Sequence, residues 1–217
     1  MALALGQVHF HLDLQTAFIV GHGTQCLVSP VLQCPCLTAE RQFSPICPTC
    51  HGTGRYYPAG AQYSTMLLTQ QETSKRTFLD AGSWTAGSIM ASVLPGVRLC
   101  ERDKVRMVDI TDSFVDETLV RGMDDAVRFR YGVELLVAAD LTTVYTPGVD
   151  YVLAPPGTVS WLPGGRSPAF MTQYAVRYNA QPEFLVVNDS PRLRLEHRIP
   201  QAQEVVLMRL DKLSEDF

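Results

Sequence analysis

Four of the six cysteines in this 217-residue chain fall within residues 34–50, as Cys-Pro-Cys, ten intervening residues, then Cys-Pro-Thr-Cys. The cluster constrains the fold because the segment around it has little else to fold with. Residues 21–63 carry GHG, SP, CPC, SPICPTCHGTG and YYPAG, which are turn and breaker signals throughout. A loop-rich stretch of that length inside a compact domain needs an internal tie. The crowding argues against an evenly spread disulfide framework, and in a chain kept in a reducing compartment such pairs read as metal ligands. Two short cysteine pairs from separate turns match the tetrahedral sulfur set that zinc prefers, so Cys34, Cys36, Cys47 and Cys50 are the candidate ligands of one zinc ion. Four cysteine ligands leave no open coordination position, which makes such a site structural and not catalytic. Cys34-Pro35-Cys36 has one intervening residue where two are usual, which leaves His51 or Cys26 open as a substitute ligand.

The remainder reads as β structure. In QVHFHLDL, Val8, Phe10, Leu12 and Leu14 alternate with His9, His11 and Asp13, the period of a half-buried strand, so residues 1–20 are expected to form an N-terminal strand. Residues 64–92 are polar and mixed around Trp84 and read as a loop or weak hairpin. VRLCERDKVRMVDI alternates as two short strands, with Cys100 as a small core side chain. Residues 117–122 and 126–136 read as further strands, and a helix over 133–141 competes for the same apolar run. Val149, Tyr151 and Leu153 share one face, as do Val159 and Trp161, and then Tyr174, Val176 and Tyr178 with Arg177 outward. The runs FLVV and EVVLMRL add strands before a polar tail, DKLSEDF. Short β-rich runs punctuated by 15 Gly and 14 Pro imply a mainly β fold, an antiparallel sandwich or barrel-like meander with a loop-rich zinc-knuckle insertion. The expected organisation is 1–20 strand, 21–63 cysteine-rich segment and 64–217 β-rich domain, forming one globular unit. Trp161 is expected to be buried against Tyr151 and Tyr174.

Charge narrows the function. The net charge is −4, so no overall basic field steers the chain onto nucleic acid, and charged residues are only 18%. That fraction lies below the roughly 25% of a typical soluble domain, as expected where neighbours bury much of the surface. No stretch approaches the roughly 20 apolar residues needed to span a bilayer, and the opening Met-Ala-Leu-Ala-Leu-Gly lacks the positive start of a secretory signal. GxSxG, GxxxxGK[ST] and HExxH are absent, and GHG (21–23) and LPGG (162–165) are turns too short to cradle phosphates. Asp103, Asp109, Asp112, Asp116, Asp124 and Asp125 read as strand ends and loops and not as a catalytic pair. His9 and His11 share a strand face that could bind a metal ion but reads first as surface. Arg55-Tyr56-Tyr57 beside the knuckle offers charge and stacking to nucleic acid. With no nucleophile–base pair, the chain is not expected to be an enzyme.

Two resemblances add to this. Cys47-Pro48-Thr49-Cys50-His51-Gly52-Thr53-Gly54 resembles the CxxCxGxG repeat of DnaJ-type chaperones. That family carries four copies and a J domain, whereas this chain has one copy and no J-domain signature, so only the knuckle geometry is carried over. VYTPGVDYVL, TVSWLPGGRSP and MTQYAVRYNAQPEFLVV resemble a β-meander phrase of tailed-bacteriophage virion proteins, through Tyr145, Gly148, Asp150, Tyr151, Trp161, Tyr174, Val176 and Tyr178. The preceding GVRLCERDKVRMVD is similar to the lead-in strands of such proteins. The resemblance covers about the second half of the chain. It implies a virion structural protein, most like a head-to-tail neck or connector subunit. Such a subunit forms a homo-oligomeric ring with neck, portal-adaptor and tail proteins around passing DNA, without a membrane, and is assembled in the host cytoplasm. A baseplate or tail-end component and a zinc-ribbon nucleic-acid binder are the alternatives.

Overall fold

In the computed structural model, residues 12–36, 42–70, 87–188, 195–196, 199–200 and 202–213 are described. The chain forms two compact units, the first Met1–Arg106 with Phe184–Phe217 and the second Met107–Glu183. The second unit is thus one continuous stretch, and the first is made of the chain on either side of it.

The first unit opens with α1 (Leu12–His22), β1 (Thr24–Ser29), β2 (Leu32–Gln33) and β3 (Arg55–Tyr56). It continues through β4 (Tyr63–Gln70), β5 (Ser88–Val93) and β6 (Lys104–Met107). The second unit contains β7 (Asp112–Val120), β8 (Glu134–Ala139), β9 (Val144–Tyr145), β10 (Tyr151–Ala154), β11 (Thr158–Trp161) and β12 (Gln173–Ala180). The chain then returns through β13 (Glu183–Asn188), β14 (Leu195–Glu196), β15 (Ile199–Pro200) and β16 (Glu204–Arg209). The fold is mainly β with antiparallel pairing, as expected from the turn-punctuated apolar runs.

Strands β1, β4, β5, β16, β13 and β6 close a six-stranded barrel in that order. Closure pairs both sides of each strand and removes open edges. Alternation fills the interior: Cys26 and Val28, Thr65 and Leu67, Ala91 and Val93, Val105 and Met107 are all buried. From the returning segment come Val186, Val205 and Leu207.

Two local expectations fail in this unit, and a third stands in its hairpin form. Residues 12–22 are a helix, whereas residues 1–11, with His9 and His11, lie outside the described residues. The alternation misleads over residues 12–14, where the run Gln15–Val20 carries the helix on and its inward residue, Ile19, is 1% exposed. Of the loop or hairpin expected over 64–92 the hairpin stands: β4 and β5 pair antiparallel from Leu67↔Val93 to Gln70↔Met90 as two barrel strands, while Trp84 lies outside the described residues. The Ser and Thr content of these strands weakens their signal because one face of each points away from the core. Within VRLCERDKVRMVDI only β6 is a strand; the first half is a turn, and Cys100 is exposed there instead of filling the core.

The second unit is a four-stranded sheet in the order β7-β12-β8-β9 with the hairpin β10-β11. Tyr174, Val176 and Tyr178 project inward from β12 while Arg177 is exposed, as their spacing implied. The apolar run near 133–141 is strand β8 and not helix. The strand expected over 126–136 begins only at Glu134, and β7 starts earlier than expected, at Asp112. Val149 precedes β10 and is exposed, so it does not share the inward face of Tyr151. Trp161 is half-buried, with Tyr145, Tyr151 and Tyr174 set edge-on around it at centroid distances of 5.0, 5.7 and 5.2 Å. Edge-to-face placement brings the positive ring edge to the negative face.

Three buried tyrosine hydroxyls in this unit are matched by carboxylates, whereas the Tyr151 hydroxyl is buried without a hydrogen-bond partner. Tyr174 donates to Asp125 at 2.7 Å and Tyr178 to Glu117 at 2.5 Å, while Tyr145 donates to Asp140. Asp150 is 1% exposed and accepts the Thr146 and Arg166 N–H groups, each at 2.8 Å, with the Arg166 guanidinium at 3.0 Å. The backbone bonds and then the guanidinium hold its carboxyl below the usual range. Several of these aspartates are thus acceptors that hold turns and hydroxyls in place.

Candidate metal centre

The cysteine cluster is built on two pieces of chain in the first unit. The short ladder of β2 and β3 pairs Leu32 with Tyr56 and Gln33 with Arg55, and Cys34 N–H extends it to the Gly54 carbonyl at 2.8 Å. Cys34-Pro35-Cys36 therefore leaves the end of an extended strand, which explains how a one-residue gap serves here. The second piece is the knuckle 47–54. His51 N–H bonds the Cys47 carbonyl at 2.9 Å, and Thr53 N–H bonds the Cys50 carbonyl at 2.9 Å. Such a tight return requires left-handed backbone, with φ of +48° at His51, +85° at Gly52 and +70° at Gly54. At Gly54 there is also no room for a side chain, since a Cβ would lie 2.4 Å from the Phe43 ring.

The two pieces interleave their sulfurs. Cys34 Sγ lies 3.7 Å from Cys47 Sγ, and Cys36 Sγ lies 3.5 Å from Cys50 Sγ. All four sulfurs fall within 4.8 Å of one another and can hold a metal ion. A Zn–S bond of about 2.3 Å places tetrahedral sulfurs about 3.8 Å apart, so these separations suit such an ion. They are far above the roughly 2.05 Å of a disulfide, and the four are free thiols. Tyr56 packs against the cluster.

The local electrostatics is uneven. The N–H groups of Cys50 and Thr49 stabilise the Cys47 thiolate and draw its pKa down to about 6. Burial pushes the Cys34 thiol up, and burial together with the Cys50 thiol pushes Cys36 up to about 12. Four thiolates this close repel one another unless a cation sits among them. A coordinated metal removes that conflict, because a ligating thiol is deprotonated outright.

Neither substitute ligand is needed. His51 contributes its backbone to the knuckle and its side chain is not among the gathered groups, while Cys26 is a core residue of β1 whose thiol donates to Thr24 O at 3.3 Å. The Arg55-Tyr56-Tyr57 run is mostly occupied with structure. Tyr56 covers the thiols, and Tyr57 donates its hydroxyl to Arg102 O at 3.0 Å. Its ring lies under the Lys104 ammonium at 4.1 Å. Arg55 alone of the three is exposed. Beside it, a cleft of about 420 Å³ is walled by Val31, Leu32, Phe43 and Arg55.

Sequence reasoning missed the residues that fasten this module. Asp103 is 4% exposed and accepts Val31 N–H and Cys100 N–H, each at 2.8 Å. With Tyr57 and Lys104 it ties the cysteine segment to the turn before β6. Val31 and Tyr57 lie tens of residues from Asp103 and Lys104, and the chain carries no local signal of that pairing.

No protein-family model matches this sequence, and no curated protein matches it.

Proposed function

We propose that this chain is a non-catalytic structural subunit of a tailed-bacteriophage neck, a head-to-tail connector ring assembled between portal or adaptor and tail around the DNA channel. The observation that carries the reading is the packing of the second unit. Of the residues on which the phage resemblance rests, Tyr145, Tyr151 and Tyr174 surround Trp161, Asp150, Val176 and Tyr178 are buried in the same unit, and Gly148 supplies a left-handed turn at φ +77°. The sheet of that unit also ends on two strands, β7 and β9, unlike the closed barrel. Strand edges of this kind pair readily with a neighbouring chain.

In this reading the ion held by Cys34, Cys36, Cys47 and Cys50 is zinc, with a structural role. Its binding energy replaces the hydrophobic core that the loops lack. The mechanism is assembly: a face of one subunit meets a different face of the next, and the rotation closes a ring. The partners are further copies of the chain and the neck, portal-adaptor and tail proteins, and the site of action is the virion neck. A net charge of −4 suits a wall past which DNA slides without sticking. A zinc-ribbon nucleic-acid binder is the weaker reading, since Tyr56 and Tyr57 are engaged within the fold.

The test is imaging of intact particles with the chain labelled. Several symmetry-related copies between capsid and tail are expected. Absence from purified virions, or presence only at the distal baseplate, overturns the neck reading.

A further inference from the structure

Helix α1 carries a water-facing side that does not suit water. Leu14 is 68% exposed, Phe18 54% and Val20 55%, while Ile19 on the opposite side is buried. A surface helix normally turns polar residues outward, but among Leu12–His22 the ionisable side chains are Asp13 and His22, one at each end. Leu14 and Phe18, four residues apart, form an apolar ridge. Ala17 and Gly21 lie beside it, and nothing approaches within 4 Å of the place where a Gly21 Cβ would stand. Phe18 leans on His22, ring centroids 4.7 Å apart.

The pattern is complementary to its own reverse. Leu14 and Gly21 are equidistant from the midpoint between Ala17 and Phe18. When two such helices are laid antiparallel about that midpoint, Leu14 of each copy faces the open notch at Gly21 of the other. The two Phe18 rings meet near the axis. The two helix dipoles run in opposite senses, the favourable arrangement. Large side chains thus meet small ones under one two-fold operation.

We propose that the free chain self-associates through α1 as an antiparallel two-fold pair. The ridge of an 11-residue helix covers less than a standard interface, so the pair belongs to the small, transient class of contacts. The inference does not rest on the neck reading, because a two-fold contact is not the rotation that closes a ring. Within that reading, the pair is a storage form that keeps the apolar ridge covered before subunits are recruited.

Sedimentation equilibrium of the full metal-loaded chain, from low to high micromolar concentration, tests this. A reversible shift from monomer to dimer is expected. Phe18→Glu and Leu14→Gln should each weaken dimerisation at least tenfold, with helix content and metal content unchanged. Gly21→Leu is the discriminating variant: it makes the face more apolar but fills the notch, so it should also abolish the pair. If Gly21→Leu associates as well as or better than the native chain, the helix is merely sticky and the pairing is wrong. A strictly monomeric native chain overturns the proposal, and so does a higher closed oligomer insensitive to Phe18→Glu. The latter result leaves the ring reading standing.

Discussion

The buried carboxylate of Asp103 receives the backbone N–H of Val31 at 2.8 Å, across 72 positions of sequence. With the Cys100 N–H on its other oxygen, this one side chain joins the cysteine segment to the turn that leads into β6. Hydrogen bonds to a charged acceptor contribute more than neutral ones, and their loss leaves orphaned donors. Asp103→Ala should therefore cost about 3 kcal/mol in urea unfolding, and Asp103→Asn less, because one acceptor oxygen survives. A loss below about 1 kcal/mol for the alanine variant would mean that water replaces the carboxylate freely.

The cysteine cluster should carry one metal ion per chain when the protein is purified without added metal, as measured by elemental analysis. Cys47→Ser should lose the ion and open residues 21–63 to protease. Because metal binding supplies local folding energy, the second unit should stay resistant. Equal sensitivity in both parts would show that the ion does not act locally.

Asp150 sets a pH dependence. Its carboxyl titrates below the usual value of 3.8 in the folded state, chiefly through the Thr146 N–H and then Arg166. A folded pKa below the unfolded one stabilises the fold fully above the unfolded value, and the contribution is lost as pH falls through the folded value. Urea midpoints of the native chain should therefore drop steeply below about pH 4. Asp150→Asn should be less stable at neutral pH and show a shallower acid limb. Parallel curves for the two proteins would remove Asp150 from the account.

Trp161 packs edge-on with three tyrosines yet keeps part of its surface in water. Trp161→Ala should cost about 3 kcal/mol, the lower end of what aromatic truncation in a core costs. Trp161→Phe, which keeps a ring edge for Tyr145 and Tyr174, should cost distinctly less. An unchanged melting curve for the alanine variant would place the stability of this unit elsewhere.

What the sequence made legible follows the range of the interaction. The knuckle at 47–54 and the inward trio Tyr174, Val176 and Tyr178 are governed by neighbours a few residues away, and both stand as their spacing indicated. The four thiols also meet, because turn signals bring the pairs within reach of each other. Helix α1 was hidden because its first residues, Leu12, Asp13 and Leu14, also fit an apolar–polar alternation. Strands β4 and β5 read as no more than a loop or weak hairpin because barrel pairing, and not local composition, makes polar Ser and Thr runs extended. Asp103 looked like a loop acid, and only the closed barrel places Val31 against it.

The route of the chain through the barrel has a consequence for synthesis. The chain leaves the barrel after β6 and returns at β13, the strand beside β6, only after the whole second unit has been made. The second unit is one uninterrupted stretch, whereas closure of the first needs strands from before and after it. On the ribosome the second unit can fold as soon as it emerges, while four barrel strands wait for β13 and β16. Contacts between residues distant in sequence form slowly. A chain cut before β16 would thus keep every strand of the second unit and yet leave the barrel open between β5 and β13.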